Sequence, residues 1–326
     1  MLKTAQALRL RQIKMAVVCG VLLLCGGCRR SSVPTIAVIP RTSGTPLWEP
    51  VHAGAEIAAR STGTKVYWNA PTREDDVQGQ IALVESVIER KYQGLVLAPD
   101  QALALITPVR RALSKGIPTV IIGSPLPIPP GGRLKYILND EEEAGQMAAV
   151  RVGQLLEGKG SVAILGVNPD IVGMMIRARS LEETLARQYP KIRIVEKHFG
   201  SFNVAHDQLI AEETLRANPH LNAIVALTSA STRGACSALA HNAKMESTKV
   251  VGFDEPDPLL FQEINLDSLV IPNSHEMGIS AVKMIAAQLA GQPVPAEVKL
   301  KPLLVTRGNL DSPELLEVRS MEWWRP

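Results

Sequence analysis

Aromatic side chains are scarce, 4% of a 326-residue chain, so each one near a candidate site carries more information than usual. Cysteine is scarcer still in the body of the chain. Of the four, Cys19, Cys25 and Cys28 stand near the start, and Cys236 alone lies further in, which excludes an intramolecular disulfide there. Cys236 falls in the small-residue stretch Gly234-Ala235-Cys236-Ser237-Ala238 and reads as a buried apolar residue of a helix. The sequence contains no phosphate-binding glycine loop, no nucleophile elbow and no clustered His/Cys ligand set, so no cofactor, no metal site and no enzyme activity are expected. The acidic run Asn139-Asp140-Glu141-Glu142-Glu143 reads as a helix start rather than a metal site. His206-Asp207 is not read as a catalytic dyad, because neighbours on a helix face different directions.

What the chain does have begins with Lys3, Arg9, Arg11 and Lys14, followed by an apolar run from Met15 to Leu24 that is too short to span a bilayer as a finished helix. Gly26-Gly27-Cys28 then has the layout of a processing site. The segment resembles the bacterial lipoprotein signal, although Cys25 stands three before Cys28 where that signal has a leucine-like residue. The resemblance implies cleavage and lipidation at Cys28; the other reading is an uncleaved N-terminal anchor. Cleavage removes four of the 35 basic residues and none of the 32 acidic ones, leaving a formal net charge of −1. The basic balance of the precursor therefore belongs to the signal and does not point to nucleic acid.

From Thr35 onward, short apolar runs alternate with segments of helical spacing. Thr35–Ile39, Val66–Trp68, Gly94–Leu97 and Pro118–Ile122 read as strands, with helices from near Leu47, around Ile81–Ile88, and from Leu103 to Lys115. The Pro/Gly-rich loop 127–132 breaks the rhythm, which restarts after Tyr136–Asp140. Glu141–Leu156, Ile171–Tyr189, Ala205–Asn218, Ser231–His241, Leu259–Ile264 and Met277–Ala290 read as helices, interleaved with strands at 161–165, 192–196, 223–227, 250–253 and 268–271. Such alternation indicates an α/β fold of two doubly wound parallel-sheet lobes joined by a multi-strand hinge, with helices on both faces of each sheet. The expected organisation is residues 1–27 as signal peptide, 28–34 as lipidated tether, 35–138 plus 274–302 as the N-terminal lobe, 139–273 plus 303–310 as the C-terminal lobe, and 311–326 as a tail. Val250-Val251-Gly252-Phe253-Asp254 reads as a strand ending at the carboxyl edge of its sheet, where open α/β sheets bind ligands.

That stretch, Leu269-Val270-Ile271-Pro272-Asn273-Ser274-His275-Glu276-Met277-Gly278 and Leu304-Val305-Thr306-Arg307-Gly308-Asn309 together resemble, in order and spacing, the periplasmic sugar-binding proteins of the ribose/galactose type. Those proteins share their fold with the effector domains of LacI-type regulators. The resemblance covers nearly all of residues 34 to 310. It implies a type I periplasmic binding protein that closes two lobes on a small polar ligand, a carbohydrate, and hands it to an ABC permease. The alternative is that the closed form is presented to a sensor kinase or chemoreceptor. A regulator is disfavoured, since a DNA-binding helix-turn-helix would need some 50–60 residues before Thr35, by order of magnitude, and only the signal-like segment stands there. The expected state is a monomer held at the extracytoplasmic face by its lipid.

Carried over position by position, the resemblance implies Trp48 as an aromatic platform, Arg177 (with Arg179 beside it) as a guanidinium donor, and Phe202 as a second aromatic. It also implies Asp254 as an acceptor of sugar hydroxyls and Asn273 as a cleft amide; Ser124, Asn139 and Thr228 are further positions. Each has another reading. Trp48 could be a core residue at a helix start, Arg177 or Arg179 a solvated helix face, Asp254 a helix cap and Asn273 a turn residue. Two departures stand out. Ile122-Gly123-Ser124-Pro125 lacks the carboxylate common in the family after this strand, and Thr228-Ser229 replaces an Asn-Asp-type pair.

Overall fold

In a computed structural model the strands sort into two six-stranded sheets. The described residues are 33–43, 48–73, 76–169, 171–201, 203–241, 247–253, 259–313, 315 and 316. The first sheet has the order β11-β5-β4-β3-β1-β2, from β1 (Thr35–Ile39), β2 (Lys65–Trp68), β3 (Gly94–Leu97), β4 (Thr119–Gly123), β5 (Leu134–Asn139) and β11 (Glu297–Leu300). All its pairings are parallel. The second sheet has the order β12-β10-β9-β8-β6-β7, from β6 (Lys159–Val167), β7 (Lys191–Phe199), β8 (Ala223–Ala226), β9 (Lys249–Gly252), β10 (Leu266–Ile271) and β12 (Leu303–Thr306). It is parallel except for β12, which runs antiparallel to β10.

Each sheet is covered on both faces, and the two-residue period of the strands assigns the side chains. Ile36 and Val38 face a core built with α1 (Glu49–Thr62) and α8 (Ser274–Leu289), while Ala37 and Ile39 face one built with α2 (Val77–Glu89) and α3 (Ala102–Ser114). In the second lobe Val162 and Ile164 meet α4 (Glu141–Leu155) and α5 (Val172–Gln188). Ala163 and Leu165 meet α6 (Val204–Ala217) and α7 (Ser229–Ala240). Burial on both faces explains why these strands read as unbroken apolar runs rather than alternating ones.

The chain passes between sheets three times: from β5 into α4 after Asn139, from β10 into α8 after Ile271, and from β11 to β12 across Lys301-Pro302. Because a helix following a parallel strand starts at that sheet's carboxyl edge, the first two crossings join the carboxyl edges of the two sheets. Those edges therefore face a common hinge.

Two sequence expectations need correction. The helix expected over Leu259–Ile264 is only a 3₁₀ turn at Leu260–Gln262. Its shape is fixed from outside: Arg307 donates to the carbonyls of Phe261, Glu263 and Leu266. The segment Glu297–Leu300, where the sequence reading placed no strand, pairs with β5 as the edge of the first sheet. Its exposed Glu297 and Lys299 dilute the apolar signal, as is usual at an edge.

Candidate functional site

The carboxyl edge of the first sheet is organised by a buried amide. Gln80 is fully buried on α2; its Nε2 donates to the carbonyls of Pro40 and Ala98, and its Oε1 accepts from the amide of Asp100. This pins the ends of β1 and β3 side by side. From the end of β1, Arg41 reaches across them. Its Nε donates to the Pro99 carbonyl at 3.1 Å and its Nη2 to Ser124 Oγ at 2.9 Å, and its guanidinium lies 6.0 Å from the centroid of the Trp48 ring. Ser124, one of the positions implied by the resemblance, is thus held by an arginine that the sequence reading passed over. Trp48 is buried at the head of α1 among Ile36, Val38 and Val51, with only 8% exposure, and its Nε1 has no partner among the described residues.

The second sheet presents a denser edge. Arg177 projects from α5 and is held on three sides. Its Nε and Nη2 both bond Glu141 Oε2, at 2.7 and 2.6 Å, Nη1 donates to the Leu227 carbonyl at 2.7 Å, and the guanidinium stacks 4.2 Å from the centroid of Phe253. Leu227 and Phe253 follow β8 and β9, so the guanidinium lies across two strand ends. Phe253 is itself fixed by the buried Thr232, whose hydroxyl accepts from the Phe253 amide at 3.0 Å and donates to the Thr228 carbonyl at 2.8 Å. Arg179, by contrast, is 70% exposed, 3.9 Å from Glu183 on the solvent side of the same helix.

Beside it a buried carboxylate fixes the loop after β7. Asp207 is 2% exposed; Oδ1 accepts from the amide and the hydroxyl of Ser201, and Oδ2 accepts from Ser231 Oγ. Ser231 also receives the hydroxyl of Thr228, which accepts the Ser231 amide in turn as the N-cap of α7. Thr228 is therefore a cap in a buried chain of hydroxyls. His206 is exposed and Asp207 buried, but they do not face apart as the helix position suggests: His206 Nδ1 lies 3.8 Å from Asp207 Oδ1, and both bond the Ser201 hydroxyl.

At the hinge, Asn139, Glu141, Arg177, Phe253, Pro272 and Pro302 line a cavity of about 10 Å³. Drug-sized ligands occupy pockets of roughly 300–1,000 Å³, so this gap by itself does not enclose a ligand. Asn139 Oδ1 is buried there without a partner among the described residues. Asn273 caps α8, its Oδ1 accepting from the Glu276 amide at 3.4 Å. Cys28, Phe202 and Asp254 lie outside the described residues. Among the described residues no group of His, Cys, Asp or Glu is placed to hold a metal ion. Arg41, Glu141 and Asp207 are the polar residues the sequence reading missed as individuals. Glu141 entered it as part of an acidic helix start, and Asp207 only in the rejected His206-Asp207 pair.

Two α/β lobes hinged at facing carboxyl edges, each edge carrying an arginine over an aromatic ring, define a two-lobed ligand-binding protein. The model of the periplasmic binding protein domain matches residues 36–293, and the chain belongs to that family, with the ribose/galactose type of sugar-binding protein. It is 25% identical over 270 residues to the D-allose-binding periplasmic protein of Escherichia coli K12, covering 80% of this chain and 86% of that protein. It is 27% identical over 222 residues to the ribose import binding protein of Bacillus subtilis, covering 68% and 69%. Among solved structures, an ABC transporter solute-binding protein from Burkholderia graminis in complex with D-arabinose superposes with a TM-score of 0.77 at 26% identity, over 86% of this chain and 97% of that one. These relatives are binding proteins and not enzymes, and membership of the family implies an extracytoplasmic location.

Proposed function

We propose that this protein captures a sugar between its two lobes and delivers it to an ABC-type permease, tethered to the membrane by a lipid on Cys28. The observation that carries the reading is the seat of Arg177. A guanidinium laid across two strand ends at the hinge-facing edge and stacked on Phe253 offers fixed donors to a ligand's oxygens. The relatives' names add the ligand class, since they bind D-allose, ribose and D-arabinose. The remaining members of the site are Trp48, Phe202, Asp254 and Asn273, with Ser124, Asn139 and Thr228 around them. The moving bodies are residues 35–138 with 274–302, and residues 139–273 with 303–310. The working state is a monomer.

Titration calorimetry of the mature protein against D-allose, D-ribose, D-arabinose and a wider pentose and hexose panel tests the reading. At least one sugar binds with 1:1 stoichiometry, and the same sugar contracts the radius of gyration in small-angle scattering, because a ligand touching both lobes favours the closed state. A panel without any binder refutes the sugar assignment. Fatty-acid labelling of wild type but not of Cys28→Ser supports the anchor; equal labelling rejects it.

A further inference from the structure

We infer that Glu141 is a specificity determinant of this site: it fixes the pose of Arg177 and cancels its charge, so that the cleft takes neutral sugars and turns away sugar acids. The inference rests on the sugar-binding reading above. Glu141 and Arg177 come from different helices, and each side chain is only 13% exposed. Charges so enclosed act on one another and on a ligand far more strongly than in water. Nε and Nη2 converge on one carboxylate oxygen, which removes the rotational freedom of the guanidinium.

The helix that carries Arg177 is shaped to receive the carboxylate. Gly173 lies one turn before Arg177 on the same face of α5. A Cβ there would stand 3.2 Å from Glu141 Cγ and 3.5 Å from its Oε1. The bare backbone at Gly173 thus gives Glu141 the room it uses to lie against Arg177.

An arginine has five N–H donors. Three are used by Glu141 and Leu227, and the other two, on Nη1 and Nη2, have no partner among the described residues. A sugar hydroxyl can accept from them. A carboxylate at the same place meets Glu141 behind the guanidinium, a like charge that offsets the attraction. Rejection by a built-in repulsive group is a general device of specificity. Arg177 is therefore presented as a donor of hydrogen bonds and not as a net cation.

The test uses the neutral sugar found by calorimetry and its uronic acid, and reads the ratio of their dissociation constants. Glu141→Gln keeps the shape and one acceptor oxygen but leaves Arg177 charged. The ratio moves at least tenfold toward the acid, whereas Glu141→Asp, which keeps the charge, stays near wild type. With Arg177→Ala in the background, Glu141→Gln moves the ratio less than twofold, because its effect passes through the guanidinium. If Glu141→Gln does not fold, Glu141→Ala, which also removes the charge, gives the same shift. An unmoved ratio, or an equal shift with and without Arg177, overturns the inference while sugar binding stands. A wild-type protein that binds no sugar overturns both.

Discussion

Gly54 of α1 and Gly278 of α8 are pressed together where the two helices cross beneath the first sheet. A Cβ on Gly54 would fall on the carbonyl oxygen of His275, and one on Gly278 on the carbonyl oxygen of Val51. Each glycine thus makes room for the other helix's backbone, and α8 is the element that returns the chain from the second lobe to the first. Gly54→Ala therefore forces the helices apart. Overpacking of this kind costs about 1–3 kcal/mol, and here the obstacle is backbone rather than a side chain that can turn away. Urea unfolding of Gly54→Ala and Gly278→Ala checks it. Each loses at least that much stability, while alanine at Gly291, which meets nothing within 4 Å, costs only what its left-handed φ of 72° demands.

Asp207 gives a second prediction. Its carboxylate takes the amide and hydroxyl of Ser201 and the hydroxyl of Ser231. Removing it in Asp207→Ala leaves the buried Ser231 hydroxyl without its acceptor, at about 1–3 kcal/mol for a buried group left unsatisfied, while the exposed Ser201 can turn to water. A loss of about 1–3 kcal/mol in chemical denaturation is expected, with weakened sugar binding because the Ser201 turn no longer has a fixed shape. Asp207→Asn, which still offers one acceptor oxygen, loses less on both counts. Wild-type stability in the alanine variant would show that the network contributes nothing.

The two lobes, their helical faces and the alternation of strands were legible because burial on both sides of a parallel sheet writes long apolar runs into the chain. Trp48, Arg177 and Thr228 are singled out by resemblance alone, and their surroundings were not legible. Arg177 reads from the sequence as a ligand donor or a solvated helix residue, yet its partner Glu141 lies 36 residues away and meets it only after α4 and α5 pack. Gln80 sits among the apolar residues of α2 and looks like an ordinary helix-face amide until its three bonds to the ends of β1 and β3 are seen. Arg41 reads as a loop residue, and only sheet order brings it to Ser124, 83 residues on. Long-range polar pairs leave no periodicity for a sequence to display.

His52 makes stability depend on pH. It is buried on α1 and stacked on Trp68 with ring centroids 4.1 Å apart and planes 4° from parallel. Burial holds its pKa below the ordinary value of 6.5, against the opposing pull of Glu49. The unfolded chain therefore takes up the proton first as pH falls, so the contribution is complete above the unfolded value and is lost as pH drops through the lower folded one. His52→Phe keeps an aromatic ring against Trp68 and removes the titration. Its unfolding free energy is expected to fall less than wild type's between about pH 7.5 and pH 5. Parallel curves for the two proteins would assign the acid dependence to other groups.

The three passages of the chain between the sheets also dictate the order in which the molecule can be finished. The edge strand β11 and the covering helix α8 of the first sheet are supplied by residues 274–300, after the whole of the second sheet except β12 has been made. The amino-terminal lobe, though begun first, cannot close its hydrophobic layer before residues 274–300 are made. Domains that fold one by one during synthesis follow the opposite schedule. The lobe that begins the chain is thus completed by a segment that follows nearly all of the other lobe, so neither can be cut from the sequence as one uninterrupted piece.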